Sequence, residues 1–330
     1  MGTRTGVALA AGSLGVVAEA KIKKFKARVP NLGARAFSFC VLLPFRSIRR
    51  SPLSVSILLA LAIAVSAQDL EHLSSAVSTG NSEQKRDALF QIRNLRSETA
   101  SRAAVPALRD GDAIVRATAA GSVVFLPKPE AVAVLVPLLD DRDAFVRKEA
   151  AYSLGIVGSA AAVVPLVRVL QSDKDLEVRA AAAVAVGTIG DRSAVEPLLV
   201  ILRRRPSEDE EFLRRSAARS IGQVARASRG LGTGVVTPQN FLPEKYQAIS
   251  GDELTVKHNI FSSAVSVLSS VLQNRRESDD ARREAAFALG AIGGAAARGV
   301  LDAHRDSPDP YLAEIAREAL LRIDAVERGQ

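Results

Sequence analysis

Apolar residues recur along this chain in a phrase that returns about every 31 residues. The clearest copies read VRKEAAYSLGIVG from residue 146, VRAAAAVAVGTIG from residue 178 and ARREAAFALGAIG from residue 281. In the first copy, Val146, Ala150, Leu154 and Val157 are spaced by three or four residues, as on one face of an amphipathic helix. A repeat of this length predicts an architecture of stacked helical units.

A second apolar run precedes the phrase, for example AVLVPLL at 133–139 and AVVPLVRVL at 162–170. Each unit is therefore expected to hold two helices, named A and B here, joined by a short polar turn. Weaker copies of the B phrase begin at Gln84, Val115, Leu213 and Leu312. We predict seven units, the last a polar cap, at about 70–98, 101–126, 130–158, 161–190, 193–228, 255–293 and 294–327.

Short polar residues mark the expected ends of the B helices. An Asp that can cap the helix N-terminus stands three residues before the Val-Arg pair, at Asp112, Asp143 and Asp175. The acidic pairs at turns are assigned the same capping role; they are Asp140-Asp141 and Asp279-Asp280. Gly158 and Gly190 follow their B helices as C-cap residues do.

Glycine also recurs inside the B phrase, at Gly155, Gly187, Gly222 and Gly290. A glycine within a helix costs about 1 kcal/mol relative to Ala, so its recurrence needs a compensating reason. We expect a neighbouring helix to pack close to the backbone at each of these positions.

The phrase D-x-x-V-R-x-x-A-A-x-x-L-G, following an A helix that ends in P-L-L, resembles the HEAT repeat family and its phycobilisome-lyase HEAT-like subclass. The resemblance covers about 70–327, apart from an insertion at 229–254. It implies an all-α fold, a right-handed α-solenoid of about seven helical pairs whose B helices line the concave side. The family contains adaptors, scaffolds, a bilin lyase and an iron enzyme, so the resemblance implies a fold and not an activity.

The N-terminal region carries the pattern of an export signal. Arg46, Arg49 and Arg50 precede an apolar stretch of 13 residues at 53–65, and Val65-Ser66-Ala67 supplies the small residues of a cleavage site. A membrane span needs about 20 apolar residues, so we favour a signal peptide at 45–67, cleaved between Ala67 and Gln68. The expected location is the periplasm or the exterior of a bacterial cell, with an uncleaved inner-membrane anchor as the alternative.

Residues 1–44 carry no repeat and no apolar core pattern. A signal peptide normally stands at the very N-terminus, so we hypothesise that translation starts near Val41 or Leu42. Residues 1–44 would then be a non-native or disordered extension. Peptide mapping of the cellular product tests this, because peptides from residues 1–40 contradict it.

The basic charge of the chain is concentrated in the same region. The whole sequence has a net charge of +8, but ten of its 44 basic residues and only one of its 36 acidic residues precede residue 68. A mature chain from Gln68 would be close to neutral, so the composition does not predict nucleic-acid binding. Cys40, the only cysteine, also precedes the cleavage site, so the mature chain would hold no disulfide or thiol nucleophile.

Recurring arginines in the B phrase are the first candidate protein-binding residues. They stand at equivalent positions, and we select Arg147, Arg179 and Arg214 as a stripe for an acidic partner; Arg116 and Arg282 belong to the same series. The alternative, which we favour, is that each arginine pairs with an acidic residue of an adjacent turn and orients the stack.

The run Arg203-Arg204-Arg205 before Glu208-Asp209-Glu210-Glu211 offers the same choice between two interpretations. It could form a charged docking loop. The favoured alternative is helix electrostatics, with cations ending an A helix and anions beginning a B helix.

The insertion at 229–254 interrupts the regular array and is the other candidate binding segment. Its apolar and aromatic residues Phe241, Leu242 and Tyr246 could anchor a partner protein. The alternative is a tolerated surface loop whose apolar residues fold onto the solenoid.

No arrangement of residues in the sequence predicts catalysis, a metal site or a cofactor. The three histidines, His72, His258 and His304, lie in different units, and none begins the His-Glu motif that the iron enzyme of the family carries. We therefore expect a non-catalytic, monomeric scaffold or adaptor for a protein that the sequence does not identify. The alternatives are a bilin lyase-like enzyme or subunit and a scaffold anchored in the membrane by its N-terminus.

Overall fold

The computed structural model describes residues 69–230 and 260–327. The predicted extension at 1–44, the signal peptide at 45–67, the cleavage site at Ala67 and Gln68, and all but two residues of the insertion lie outside the described residues. Within the two described ranges, all regular secondary structure is helical. None of the described helices combines the length and the apolar character needed to cross a bilayer.

Fourteen α-helices in the described residues form seven A–B pairs. The A helices are α1 (69–79), α3 (Glu98–Ala104), α5 (Lys128–Leu135), α7 (Val163–Ser172), α9 (Val195–Leu202), α11 (Ile260–Gln273) and α13 (Ala295–Asp302). The B helices are α2 (Ser82–Leu95), α4 (Ala113–Ser122), α6 (Ala144–Val157), α8 (Leu176–Ile189), α10 (Glu211–Ala227), α12 (Asp279–Ile292) and α14 (Pro310–Glu327). This all-α solenoid of seven helical pairs confirms the predicted fold class.

The predicted N-caps are present: Asp side chains accept hydrogen bonds from free backbone N–H groups of the first helical turn. Asp112 accepts from Ile114 at 2.8 Å, and Asp143 accepts from Phe145 at 2.9 Å. Asp175 caps α8 in the same way. These caps fix where each B helix begins.

The predicted C-caps are present as well. Gly158 and Gly190 end α6 and α8 with φ angles of 63° and 78°, a left-handed conformation that glycine adopts without strain.

The acidic pairs at the turns are not caps, which corrects the expectation from the sequence. Asp140 pairs with Arg168, and Asp141 pairs with Arg116. The cap of α12 is Ser278, which accepts from Ala281 at 3.2 Å. Asp279 and Asp280 instead lie in the first turn of α12, where a negative charge is favourable to the helix dipole.

Glycines inside the B helices allow neighbouring B helices to pack backbone to backbone. A Cβ built at Gly155 would lie 2.9 Å from the Cα of Ala185, and one at Gly290 would lie 2.4 Å from the Cβ of Ala319. Both distances are too short for ordinary van der Waals contact. The predicted close approach of a neighbouring helix is therefore confirmed.

One apolar core runs through the whole stack, from Leu73 in α1 to Ile323 in α14. Helix α10 packs directly on α12, and a Cβ built at Gly222 would lie 3.0 Å from the Cα of Ala288. The insertion therefore interrupts the sequence between units five and six without interrupting the stack of B helices.

The last B helix departs from the glycine pattern. Leu321 of α14 stands nine residues after Leu312, as Gly155 stands nine residues after Val146. Its side chain is 64% exposed, and no described helix packs against this side of α14. A bulky residue therefore occupies the position at which four other B helices receive a neighbour at a glycine.

Candidate functional site

A ladder of ion pairs joins the repeats at their A–B turns, and we call it the junction ladder. A cation on one B helix reaches a carboxylate in the turn of the next unit. Arg147 makes two hydrogen bonds of 2.7 and 2.9 Å to Asp173, and Arg116 makes two of 2.8 Å to Asp141. Further pairs extend the ladder in both directions: Lys85 with Asp110 at 2.6 Å, and Arg214 with Glu277 across the insertion.

Each ordinary A–B turn is bonded to two B helices, the one of the preceding unit and the one of its own unit. Asp141 receives Arg116 of the preceding unit, and its carboxylate also accepts the backbone N–H of Asp143 at 2.9 Å. The backbone carbonyl of Asp141 accepts Nη1 of Arg147 at 2.9 Å. The ladder acid therefore lies two residues before the cap, and one turn fixes the position of two B helices.

The junction between α8 and α10 lacks this arrangement. Arg179 donates from Nε to the carbonyl of Leu170 at 2.9 Å, but the carboxylate of Glu210 lies 3.7 Å from its Nη1. Nη2 of Arg179 is buried and has no hydrogen-bond partner among the described residues. The pair of hydrogen bonds that joins Arg116 or Arg147 to one carboxylate, called a rung of the ladder here, is therefore not formed by Arg179.

Arg204 stands in the same relation to the arginine of its own B helix as Asp141 does to Arg147. Its backbone carbonyl accepts Nη1 of Arg214 at 3.0 Å, just as the carbonyl of Asp141 accepts Nη1 of Arg147. Arg204 and Arg179 share one carboxylate, that of Glu210, at 3.9 and 3.7 Å. The sign of the ladder charge is thus reversed at this turn.

The pKa values of Arg116 and Arg147, which each bind a carboxylate, shift upwards, and the pKa of Arg179 shifts downwards. The hydrogen bonds to Asp141 and Asp173 outweigh burial and raise the pKa values of Arg116 and Arg147. Burial, followed by the positive charge of Arg204, lowers the pKa of Arg179. Arg179 is therefore a guanidinium whose charge is compensated less well than those of the ordinary rungs.

The structure places the three candidate arginines inside the solenoid. Arg147, Arg179 and Arg214 are only 6%, 8% and 1% exposed. The guanidinium groups of Arg147 and Arg214 pair with Asp173 and Glu277 of the next unit, so the three arginines do not form an exposed stripe. The candidates Phe241, Leu242 and Tyr246 lie outside the described residues and stay predictions.

A second surface, which the sequence analysis missed, is the solvent-facing side of the B helices, called the B face here. Its members recur at steps of three or four, and the most exposed aromatic residues on it are Phe90 (59%), Tyr311 (54%), Phe145 (44%) and Phe212 (42%). The B face is defined by Phe90, Ile114, Phe145, Lys148, Tyr152, Ile156, Phe212, Arg215, Arg219, Arg283, Glu284, Phe287 and Tyr311.

Aromatic residues concentrate on this face. The described ranges hold eight of them, and only Phe261 lies in the core. Six of the other seven stand at two equivalent positions, one residue before or six residues after the start of a B phrase: Phe145, Phe212 and Tyr311, then Phe90, Tyr152 and Phe287. Aligning the copies would have shown this from the sequence.

Cations lie over several of these rings and are themselves paired with acids. Arg215 lies 5.0 Å from the ring centroid of Phe212 and 2.8 Å from Asp280. Lys148 lies 5.4 Å from the ring of Phe145 and 2.7 Å from Glu177. These contacts hold the long cationic side chains against the face.

Potential metal ligands are scattered over the described part of the chain. It contains no group of three or more His, Cys, Asp or Glu residues placed to hold a metal ion. An open groove of about 410 Å³ between α1 and α2 is lined by His72, Thr79, Gln84 and Asp87, among others. His304 lies elsewhere, with Nδ1 2.9 Å from the carbonyl of Val300, and His258 is outside the described residues.

Comparison with known families identifies the repeat. The family model for HEAT repeats matches residues 70–155 and 101–187, and the model for the PBS lyase HEAT-like repeat matches residues 178–204. No protein of curated function matches the chain in sequence.

Solved structures of several solenoids are similar to this chain. Human deoxyhypusine hydroxylase in complex with glycerol is 19% identical, with 80% of this chain and 99% of that chain covered and a TM-score of 0.33. The CpcE and CpcF complex of phycocyanin lyase from Nostoc is 18% identical, with 86% and 98% covered and a TM-score of 0.43. Kap121p bound to Pho4p is 13% identical, with 78% and 28% covered and a TM-score of 0.52.

At these identities the structural similarities concern the fold alone, and of the three only the Kap121p structure exceeds a TM-score of 0.5. The two family models together cover residues 70–204, and the same helical pairs continue to residue 327. Residues 70–204 therefore match HEAT repeats, and residues 178–204 match the phycobilisome-lyase type of this repeat.

Proposed function

We propose that this chain is a non-catalytic scaffold or adaptor that binds another protein through its B face, with the insertion at 229–254 adding to the contact. The observation that supports this most directly is the placement of six aromatic residues at two repeated positions of one surface. Protein interfaces are enriched in aromatic residues and arginine, and these residue types supply most binding hot spots. A solenoid of HEAT repeats is consistent with such a role.

The cations on the B face support the same proposal. Arg215 and Arg283 lie over the rings of Phe212 and Tyr311 and are also paired with Asp280 and Asp309. Side chains that are already ordered lose less conformational entropy when a partner binds. The B face is thus a pre-ordered surface of rings bordered by charges.

A pull-down from the envelope fraction of the native organism tests the proposal. Chain 68–330 is compared with a triple variant, Phe145→Ala, Phe212→Ala and Tyr311→Ala, and with a chain lacking 229–254. The matched control is Val164→Ala, which removes a 79% exposed apolar side chain from the A helix α7. We expect the triple variant to lose the partner and Val164→Ala to retain it; equal retention by both contradicts the assignment to the B face.

Export is part of the proposal and rests on the pattern of residues 45–67. We expect a mature chain that begins at Gln68 in the periplasm or outside the cell. Fractionation followed by a carbonate wash distinguishes this from the anchored alternative, because an uncleaved anchor keeps the chain in the washed membranes.

A second candidate function comes from the match of residues 178–204 to the PBS lyase HEAT-like repeat. It is a bilin lyase-like enzyme or enzyme subunit. Absorbance spectra of the purified chain mixed with a free bilin test it. A red-shifted band that stays with the protein through gel filtration favours this function, and an unchanged bilin spectrum contradicts it.

A further inference from the structure

The junction between α8 and α10 carries two arginines, Arg179 and Arg204, whose positive charges are only partly compensated by a carboxylate. In the two preceding junctions, one carboxylate receives two guanidinium hydrogen bonds of 2.7 to 2.9 Å, as Asp141 and Asp173 do. At this junction the equivalent position holds Arg204, whose side chain is 46% exposed. Behind it lies Arg179, with a buried Nη2 that has no hydrogen-bond partner in the described ranges.

We infer that Arg179 and Arg204 form a binding site for an oxyanion, and specifically for a carboxylate that a partner polypeptide supplies. Such a carboxylate would complete the missing rung, with Arg179 donating from the inside of the junction and Arg204 from the solvent side. Arginine binds carboxylates through two parallel, charge-assisted hydrogen bonds, which is the geometry that the ordinary rungs show.

Glu210 of the same chain occupies this site in the absence of a partner, and we call it the placeholder. Its carboxylate lies 3.7 Å from Nη1 of Arg179 and 3.9 Å from Nη1 of Arg204, within reach of their charges but beyond hydrogen-bond length. It therefore compensates the two cations in part without satisfying their donors. An incoming carboxylate displaces Glu210 from between them.

The position of the site indicates why a polypeptide is its source. Phe212, one of the exposed aromatic residues of the B face, lies in the first turn of α10, the helix that follows this turn of the chain. A protein docked on the B face can place an Asp or Glu side chain at its edge. In this respect the inference rests on the proposed function, but the site itself can be tested without a partner.

The test uses mature chain 68–330 and an acetylated, amidated tetraglutamate peptide, with tetraglutamine and inorganic phosphate as comparison ligands. Affinity is measured by titration calorimetry at low and moderate salt. We expect tetraglutamate to bind, tetraglutamine not to bind, and Arg204→Ala to weaken tetraglutamate binding by at least about tenfold. Phosphate binding without tetraglutamate binding overturns the assignment to a carboxylate.

Arg203→Ala is the matched control. Arg203 is a neighbour of the same charge and similar exposure, 43%, but its guanidinium pairs with Glu196 on α9. Loss of the arginine charge at 203 should leave tetraglutamate affinity within about twofold of that of the unaltered chain. An equal loss in Arg203→Ala and Arg204→Ala means general attraction by a basic loop and overturns the site.

Two further variants test the role of Glu210 and of the reversed charge. Glu210→Gln removes the placeholder, so tetraglutamate affinity should rise. Arg204→Asp restores an internal rung, so the melting temperature should rise and tetraglutamate binding should disappear. If Arg204→Asp melts lower than the unaltered chain, Arg204 does not occupy the acid position and the inference fails.

These results stay distinct from those of the pull-down. The triple B-face variant is expected to lose the partner while keeping its tetraglutamate affinity. A chain that fails only the peptide titration overturns the oxyanion site, and one that fails only the pull-down overturns the proposed function.

Discussion

In an ordinary turn of this solenoid, the carboxylate of one residue stabilises both its own turn and the junction with the preceding unit. Asp173 receives Arg147 and also accepts the backbone N–H of Asp175 at 2.9 Å. Both side chains of the ion pair are less than a tenth exposed. Removing one partner would leave the other as a buried, uncompensated charge, which is costly.

Arg147→Ala is therefore expected to lower the free energy of unfolding by about 3–5 kcal/mol. The matched control is Arg168→Ala, which removes an arginine paired with Asp140 at 2.8 Å, where both side chains are at least half exposed. The control should cost only about 0–1 kcal/mol, because solvent screens an exposed pair. Urea unfolding monitored by circular dichroism measures both values, and equal losses would contradict the role of burial.

The ladder acids also set the dependence of stability on pH. Burial alone would raise the pKa of Asp173, but hydrogen bonds from Arg147 and from the N–H of Asp175 outweigh it and hold that pKa below its ordinary value of 3.8. The pKa of Asp141 is lowered in the same way. Stability from such groups is fully present above the unfolded pKa and is lost as pH falls through the folded value.

We expect the urea midpoint to change little as pH falls from neutral towards about 4, and to drop at lower pH. A double variant, Asp141→Asn and Asp173→Asn, should start from a lower midpoint and show a smaller acid-induced drop. Parallel curves for the two proteins would show that other carboxylates control acid unfolding.

At the scale of the element, the B helices pack at glycines that are conformationally unfavourable within a helix. Gly155 faces Ala185 of the next B helix at a distance that leaves no room for a Cβ. Gly299, in the short A helix α13, has no atom within 4 Å of an added Cβ. The two glycines share a helical setting and differ in what surrounds them.

Gly155→Ala should therefore destabilise the chain by about 1–3 kcal/mol, because the overpacking cost exceeds the gain in helix propensity. Gly299→Ala should stabilise it by roughly 0.5–1 kcal/mol, because only the propensity gain applies. Thermal unfolding of the two variants beside the unaltered chain measures the signs. Stabilisation by Gly155→Ala would show that the junction can open without loss.

The sequence predicted most elements because their signals are local. Caps such as Asp143 and C-caps such as Gly158 depend only on neighbouring residues, and the recurrence of Gly155 predicted a packing contact without a structure. The ladder acids were harder to assign, because Asp141 and Asp143 recur with the same period and only geometry separates their roles.

The candidate site was less predictable for a related reason. Arg204 lies in a turn longer than those before it, so counting residues does not align it with Asp141 or Asp173. Its equivalence depends on a backbone carbonyl that accepts Arg214. Lys85 was overlooked because its copy of the phrase lacks the Val-Arg pair, although it fills the same rung.

At the scale of the whole molecule, stability depends on contacts between successive units. The core runs without a break from α1 to α14, and the contact of α10 with α12 bypasses the insertion. Because each unit buries its apolar face mainly against its neighbours, a weakened junction affects the units beside it most strongly.

Leu321 has a consequence for the polymerisation of this chain. A stack of equivalent units has two ends, and a contact between unlike ends of two copies generates an open filament. Leu321 fills the position at which four B helices receive the next one at a glycine, so a further layer cannot approach α14 as closely as those B helices approach each other. Sedimentation velocity should show one species over a wide range of concentration, whereas Leu321→Gly should form larger, concentration-dependent species; identical profiles would mean that something other than this leucine ends the growth of the stack.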